Sequence, residues 1–381
     1  MAYDLILRGG HVIDPSQNID RVTDVAFADG RVAAVGDNLP SSGAKIEDVG
    51  GYIVTPGLID LHTHVYWGGT SLGIDAEAFG RSSGVTTCVD TGSAGPGNFP
   101  GFRKHVIEPS AVRILAYLHI SFAGIFAFSH RIMVGESHDM RLMAPRETVE
   151  VIEANRDVIV GVKVRLGRHA SGDSGIQPLD AAMQAAEQVG LPLMVHIDEP
   201  PPSYEDVVDR LRPGDVLTHC FRPFPNTPIR PDGTVRPAVL RARERGVIFD
   251  IGHGKGSFAY ATARPMLAAG FVPDTISSDI HLLCINGPAY DQVTTMSKFL
   301  CLGMELSAVV AASTVNAAAA LGRPDLGSLR PGSVGDATLL RVREGRFDYE
   351  DVVGEVMVGD RRIVAEGAII AGKVWHRSER T

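Results

Sequence analysis

The middle of the chain alternates short apolar segments with helical patterns, and this alternation constrains the fold more than any other feature. Eight segments have the length and composition of buried strands, at residues 57–62, 85–90, 113–119, 158–164, 191–197, 215–219, 247–252 and 275–279. Helical patterns lie between or after them, most clearly at 145–155, 178–189, 203–211, 236–245, 257–269, 289–303 and 305–321. This alternation across residues 55–321 predicts an α/β fold, a (β/α)₈ barrel of the TIM type.

Both ends of the chain instead show short strands separated by Gly, Asp, Asn and Pro, which is typical of antiparallel sheets. The strands are predicted at 5–7, 11–13, 22–27, 31–35 and 52–54, and again at 337–342, 355–358, 362–366 and 368–370. Each end is too short to bury a core of its own. We therefore expect residues 1–54 and 322–381 to combine into one small β-sandwich domain beside the barrel domain of residues 55–321.

Composition excludes several classes of function. The chain has 381 residues, 44% of them hydrophobic, and a net charge of −9. It contains no basic run, so nucleic acid is not expected as a partner. No apolar stretch approaches the roughly 20 residues of a membrane span, and the N-terminus does not resemble a signal peptide. The four cysteines have no paired spacing, which predicts buried free thiols in a reducing cytoplasm.

Polar groups that can bind metals stand at the ends of five predicted barrel strands. In such barrels, the C-terminal ends of the strands form the active site. A His-x-His pair ends the first strand, and because side chains alternate along a strand, both imidazoles point the same way. Any single strand-end histidine is more often a hydrogen-bonded core residue, and a strand-end aspartate often caps the next helix. The full set that we predict at one metal-binding rim is His62, His64, Lys163, His196, His219 and Asp279.

This constellation resembles the amidohydrolase superfamily, in which a strand-4 lysine is usually carbamylated by CO₂. The resemblance implies two divalent ions, with zinc expected from the imidazole and oxygen ligands. It implies that His62, His64 and Asp279 hold one ion, that His196 and His219 hold the other, and that carbamylated Lys163 bridges both. A metal-bridging hydroxide would attack the substrate carbonyl, and Asp279 would transfer the proton.

The substrate class is narrowed by comparison within the superfamily. Dihydroorotases commonly continue the first motif as His-x-His-x-Arg, whereas Tyr66 occupies that position here. Residues 161–166 are similar to a bacterial dihydroorotase-like subgroup of deacetylases that act on acetylated α-hydroxy acids such as O-acetyl mandelate. The alternatives are a cyclic amidase of the dihydroorotase or hydantoinase kind, an N-acyl-amino-acid deacetylase, and a non-catalytic scaffold. All six ligand positions are filled, which argues against the scaffold.

A small ester or amide substrate that carries a carboxylate needs a cation or hydrogen-bond donors. Arg165 is the first candidate, because it follows Lys163 by two residues, with a surface ion pair as the alternative. His281 is expected to orient Asp279. For His253, Tyr66 and Trp67, the alternative is a role in packing. The remaining substrate-binding candidates are His253, Asn286 and Tyr66, with Trp67, His119, Arg168 and His169 as weaker ones. Barrels of this superfamily often associate through helices, which leaves a homo-oligomer as an option.

Overall fold

The N-terminal end of the chain forms a mixed sheet with antiparallel and parallel pairings. A computed structural model describes residues 2–378. Its first strands are β1 (Leu5–Asp14), β2 (Ile19–Ala28), β3 (Arg31–Gly36), β4 (Lys45–Asp48) and β5 (Ile53–Pro56). Strand β1 is the centre of this group, since it pairs antiparallel with β2 and parallel with both β4 and β5. Strand β4 was not predicted from the sequence, while the other four were.

Seven parallel strands then form most of the barrel wall, in the order of the chain. They are β6 (Leu58–Thr63), β7 (Val85–Thr91), β8 (Arg113–His119), β9 (Ile159–Leu166), β10 (Leu193–Ile197), β11 (Val216–Leu217) and β12 (Ile248–Phe249). Their near-continuous burial is expected of a parallel sheet that is covered by helices. These strands confirm seven of the eight predicted positions.

The eighth predicted strand, 275–279, is not a regular strand, although its backbone still closes the barrel. Thr275 pairs with Asp250 beside β12, and Ile280 pairs with Thr63 at the end of β6. The backbone of Asp279 has a left-handed φ of 47°, which interrupts extended pairing between these two contacts. The segment therefore occupies the predicted eighth position of the barrel, but it does not have the predicted strand conformation.

Helices cover the outside of the barrel. They are α1 (Ala76–Ser83), α2 (Phe99–Phe102), α3 (Pro145–Glu153), α4 (Gln177–Val189), α5 (Tyr204–Val208), α6 (Pro237–Glu244), α7 (Tyr260–Ala268), α8 (Gln292–Cys301), α9 (Leu306–Ala312) and α10 (Val315–Ala320). Short 3₁₀ turns lie at Pro15–Gln17, Met140–Leu142 and Gly172–Ser174, and a π turn lies at Arg103–Ile107. None of the helices between residues 2 and 378 is long and apolar enough to cross a bilayer.

The helix predicted at 305–321 is divided into two. Ser313 and Thr314 separate α9 from α10, and both side chains bond to backbone carbonyls. Thr314 Oγ1 donates to Val310 O, and Ser313 Oγ donates to Ile276 O in the segment that closes the barrel. Such bonds compete with the regular helix pattern. The hydrogen bond from Ser313 at this break therefore connects α9 and α10 to the segment at the eighth barrel position.

The C-terminal end of the chain returns to the first sheet. It forms β13 (Ala337–Glu350), β14 (Val356–Ile370) and β15 (Lys373–Arg377), and β13 pairs antiparallel with β5. Side chains from both ends share one core that includes Leu5, Phe27, Val54, Leu339 and Ile369. The prediction that both chain ends combine into one small β domain is therefore confirmed, and its strands form one eight-stranded sheet. Its exact limits at 54 and 322 remain predictions, and residues 1 and 379–381 lie outside the described chain.

Lys298 connects the barrel to this β domain from within the core. The side chain is fully buried on α8. Its Nζ lies 2.7 Å from His253 Nε2, 2.8 Å from Pro288 O and 2.7 Å from Glu350 O. These three acceptors belong to the loop after β12, to the loop that precedes α8 and to the end of β13. One ammonium group therefore fixes three segments that surround the top of the barrel.

We expect Lys298→Met to lower the free energy of unfolding by at least about 3 kcal/mol, because three buried acceptors lose a charged donor. The matched control is Lys373→Met, which removes an exposed ammonium from β15. Denaturant unfolding of both full-length variants measures the difference. Equal unfolding midpoints for the two variants would show that Lys298 has no such role.

Candidate metal centre and substrate cavity

Two histidines from β6 and one aspartate from the barrel-closing segment form a compact buried group. His62 Nε2 and His64 Nε2 each lie 3.2 Å from Asp279 Oδ1. The three ligand atoms all lie within 4.8 Å of one another, and the residues are 1%, 5% and 8% exposed. This arrangement of two imidazoles and a carboxylate matches the ligand set that zinc-like ions prefer.

The other three predicted ligands face the same cavity from neighbouring strands. Lys163 is fully buried on β9, His196 lies on β10, and His219 lies two residues beyond the end of β11. The ring centroids of His196 and His219 are 4.5 Å apart, and those of His62 and His219 are 5.1 Å apart. All six residues selected from the sequence line one cavity of about 230 Å³.

Several buried polar atoms in this group have no hydrogen-bond partner among residues 2–378. They are Lys163 Nζ, His196 Nε2 and Asp279 Oδ1. Native proteins rarely leave buried polar atoms unsatisfied, and each such atom needs an explanation. The three atoms line the same cavity, so a bound group that contacts all of them would explain them together. The donor set thus fits metal ions.

Outer contacts direct the imidazole nitrogens toward the cavity. His219 Nδ1 donates to Gly252 O at 2.7 Å, which leaves Nε2 as the free acceptor. Thr218 Oγ1 donates to Asp250 Oδ2 and lies 2.8 Å from His62 Nδ1, so the hydroxyl accepts from that ring. Hydrogen bonds of this kind select the tautomer that coordinates through Nε2.

Burial sets the charge state of the group. It lowers the pKa of Lys163 to about 7 and that of His64 to about 3, and it lowers the pKa values of His62, His196 and His219 well below their usual range. The imidazoles are therefore neutral near pH 7, which is the form that binds metals. Burial also raises the pKa of Asp279, to about 6.

Two of these residues occupy a backbone region that favours glycine. His219 has a φ of 66° and Asp279 a φ of 47°. Such conformations are costly for residues with a Cβ and cluster at functional sites. Glycines make room beside them, because a Cβ on Gly252 would overlap Thr218 Oγ1 and one on Gly254 would overlap Asp279 Oδ2. The glycine-rich loop after β12 thus serves close packing around the cavity.

Apolar and charged residues divide the remaining cavity wall. The apolar part is formed by Leu72, Ile125, Phe128 and Met133. The polar part is formed by Arg165, His169, Asp198, Glu199, Arg222, Lys255, Gly256, Ser257 and His281. A ligand of this cavity would therefore combine an apolar group with a charged or polar one.

Arg165 lies in the cavity wall, but its charge is already compensated. Its Nη1 donates to both carboxylate oxygens of Glu136, at 3.2 and 3.0 Å, and the two side chains are 10% and 1% exposed. The guanidinium also lies 5.0 Å from the ring centroid of Phe128. The ion pair is buried, whereas the alternative interpretation from the sequence was a surface pair.

Three other substrate-binding candidates do not line the cavity, and these predictions are corrected. His253 is fully buried and bound to Lys298, while stacking on Phe258 at 4.8 Å. Asn286 is exposed. Tyr66 packs on Phe102, with ring centroids 4.6 Å apart. Each residue follows a strand end as predicted, but the local backbone turns its side chain away.

His281 and the weaker candidates have mixed outcomes. His281 lines the cavity beside His64, with ring centroids 6.0 Å apart, and no described hydrogen bond joins it to Asp279. His169 also lines the cavity, whereas Arg168 donates to Pro200 O. His119 is buried against Glu136. Trp67 is 62% exposed and does not line the cavity.

Sequence reasoning missed several charged residues in or behind the wall, among them Glu136, Asp198 and Arg222. Glu136 lies in the long irregular loop between β8 and α3, where no periodicity reveals it. Asp198 follows His196 by two residues, and Arg222 follows His219 by three. The signal that was available for the last two was their position just beyond a predicted ligand. All four cysteines are free, as predicted, and Cys301 is only partly buried.

Comparison with known proteins gives the class of this protein. Residues 53–214 match the model of the amidohydrolase family. The chain is 34% identical over 360 residues to a deacetylase of Brucella anthropi, which covers 94% of this chain and 89% of that protein. It is 37% identical over 337 residues to a deacetylase of Agrobacterium fabrum, which covers 88% and 82%.

Solved structures agree on the fold and differ in their names. A structure described as an adenine deaminase has a TM-score of 0.91 and 28% identity, covering 98% of this chain and 100% of that one. A structure described as a dihydroorotase has a TM-score of 0.88 and 34% identity, covering 98% of both chains. The chain therefore belongs to the amidohydrolase superfamily, and it is a hydrolase.

We expect Glu136→Gln to lower the free energy of unfolding by about 3–5 kcal/mol, because it leaves the buried guanidinium of Arg165 without its counterion. The control is Glu153→Gln, which breaks an ion pair whose side chains are 46% and 49% exposed. That change should stay within about 0.5 kcal/mol. Unfolding curves that shift equally would contradict the importance of the buried pair.

Proposed function

We propose that this protein is a binuclear zinc-dependent deacetylase that cleaves the acetyl ester of small α-hydroxy carboxylates. The observation that carries the proposal is the convergence of six metal-competent side chains, three of which have unpartnered buried atoms, in one cavity. Two relatives that align with most of the chain are named deacetylases, which supports the reaction class.

In this proposal His62, His64 and Asp279 hold one ion, and His196 and His219 hold the other. Lys163, once carbamylated by CO₂, would serve as a ligand to both. The burial of Lys163 among imidazoles and the lack of a partner for its Nζ support this assignment, since an ammonium there would repel cations. When bound, the ions would polarise the acyl carbonyl and lower the pKa of a water.

The residues around the cavity then account for the rest of the reaction. Water adds its oxygen to the acyl carbon, the ester C–O bond breaks, and acetate and the α-hydroxy acid are released. Asp279 accepts the proton of the attacking water and transfers it to the alkoxide that leaves. Asp279 is placed for this role, because its carboxylate faces the cavity beside His62 and His64.

The cavity wall supports a substrate with two different ends. The apolar side, formed by Leu72, Ile125, Phe128 and Met133, would contact an aromatic or aliphatic side group. The polar part of the same wall includes cationic side chains that would attract a carboxylate. A 2-acetoxy acid with an apolar side group has both features.

A cyclic amidase is the second candidate function, because one similar structure is described as a dihydroorotase. Tyr66 weighs against it, since it stands where dihydroorotases commonly carry an arginine and packs on Phe102 outside the cavity. N-acyl-amino-acid cleavage would use the same groups, with an amide in place of the ester. The substrates of the first experiment therefore include all three classes.

Zinc-loaded protein should release acetate from one enantiomer of an O-acetyl-2-hydroxy acid such as O-acetyl mandelate, with kcat/KM of at least about 10⁴ M⁻¹s⁻¹. Dihydroorotate and N-acetyl-amino acids serve as parallel substrates under the same conditions. Stereoselective acetate release supports the assignment. Ring opening or amide cleavage without ester cleavage would overturn the substrate class and retain the hydrolase.

We expect Lys163→Ala to reduce bound zinc from two ions to less than one per chain and to lower activity by more than about a hundredfold, since even outer-shell changes cost 10–100-fold. Added short carboxylic acids should restore part of both. Lys373→Ala, which removes an exposed amine on β15 outside the cavity, is the control. Full activity of Lys163→Ala without added acid would exclude the carbamate. Metal analysis and acetate release measure the two quantities.

A further inference from the structure

A second arginine, Arg222, lines the cavity without a carboxylate of the described residues in direct contact. Asp198 and the half-exposed Glu199 share the wall but do not form an ion pair with it. Arg222 lies in the loop after β11 and is 6% exposed. Its Nη1 donates to Ile197 O, and its Nε is buried without any hydrogen-bond partner among residues 2–378. No carboxylate oxygen of the described chain lies within 4.0 Å of its nitrogens, the limit for an ion pair. Arg222 is thus a nearly buried cation with unused donors.

Two other cationic side chains of the cavity wall, Arg165 and Lys255, are paired or exposed to solvent. Arg165 is bound to Glu136, so the pair has no net charge. Lys255 is exposed and therefore hydrated. Asp198, which shares the cavity wall with Arg222, accepts from the backbone nitrogens of His169 and Ala170 at 3.2 and 3.0 Å. Its carboxylate is thus bound to the loop after β9.

A buried guanidinium without a counterion is unfavourable unless an anion compensates it. Its planar set of donors matches a carboxylate better than a lysine ammonium does. The position of Arg222 is also suitable. Its side chain donates to the carbonyl of Ile197, the residue after His196, and Arg222 lies three residues after His219 in the chain. An anion on Arg222 would therefore lie beside these two histidines, where an α-carboxylate adjoins the ester.

We propose that Arg222, and not Arg165, binds the carboxylate of the substrate and gives this enzyme its preference for 2-acyloxy acids over neutral esters. This inference rests on the proposed deacetylase function. It also changes the interpretation of Arg165, which becomes a wall residue held by Glu136.

The test compares one 2-acetoxy acid with its methyl ester, which has the same acyl group and no carboxylate. In Arg222→Met the ratio of kcat/KM for the acid over the ester should fall roughly 10–100-fold, mainly through KM, as expected for a lost charge-assisted pair. Arg222→Lys keeps the charge without the planar fork, and it should recover part of the ratio. Arg165→Met and Lys255→Met should each change the ratio less than about threefold. Thermal unfolding checks that every variant is folded, and Arg222→Lys replaces Arg222→Met if the latter is not.

An unchanged ratio in Arg222→Met, or the large loss in Arg165→Met or Lys255→Met instead, would overturn the assignment. Failure of the proposed function is a separate result, in which wild-type protein releases acetate from neither the 2-acetoxy acid nor its methyl ester. Calorimetric titration of the full-length protein with mandelate then decides the inference. Binding that is at least tenfold weaker in Arg222→Met supports it, and equal binding overturns it.

Discussion

Burying ionisable groups without partners is among the most unfavourable arrangements in a protein, and the top of this barrel contains several of them together. Lys163 Nζ, His196 Nε2 and Asp279 Oδ1 lie beside one cavity with no hydrogen bond among the described residues. The free energy of folding therefore includes a penalty that only bound groups remove. The surrounding elements are arranged to keep these atoms in place in spite of that penalty.

Two buried carboxylates below the cavity provide much of this support. Asp60 accepts from the backbone nitrogen and the hydroxyl of Ser278. Asp250 accepts from the hydroxyls of Thr218, Thr275 and Ser277. The eighth position of the barrel is consequently held by side chains where regular strand pairing is missing. This lets Asp279 adopt its left-handed backbone while remaining next to His62 and His64.

The sequence predicts most of the ligand cluster because strand geometry alone fixes where those residues point. His62 and His64 are two residues apart at the end of β6, so their side chains point the same way. Lys163 is one of two charged residues in the otherwise apolar strand β9, which made it stand out as a candidate. The composite β domain was predictable because neither end can bury a core alone. Strand limits were less predictable for β11 and β12, whose pairing lasts two residues each.

Loop residues were not predictable in this way, since position after a strand does not determine the direction of a side chain. His253 and Tyr66 follow strands and face away from the cavity, toward Lys298 and Phe102. Glu136 enters the wall from an irregular loop and binds Arg165. Only the backbone path, which depends on long-range packing, decides such contacts.

The distribution of charge around the cavity follows from these contacts. On the side of β8 and β9, Arg165 and Glu136 form a neutral wall, and Phe128 lies against the guanidinium. On the side of β10 and β11, Arg222 has no such counterion. A third cation, Lys163, would add to the repulsion if it kept its ammonium form, and burial already lowers its pKa to about 7. Because Glu136 compensates one arginine and carbamylation would convert the lysine into an anion, Arg222 is left as the buried cation that an anionic ligand can neutralise.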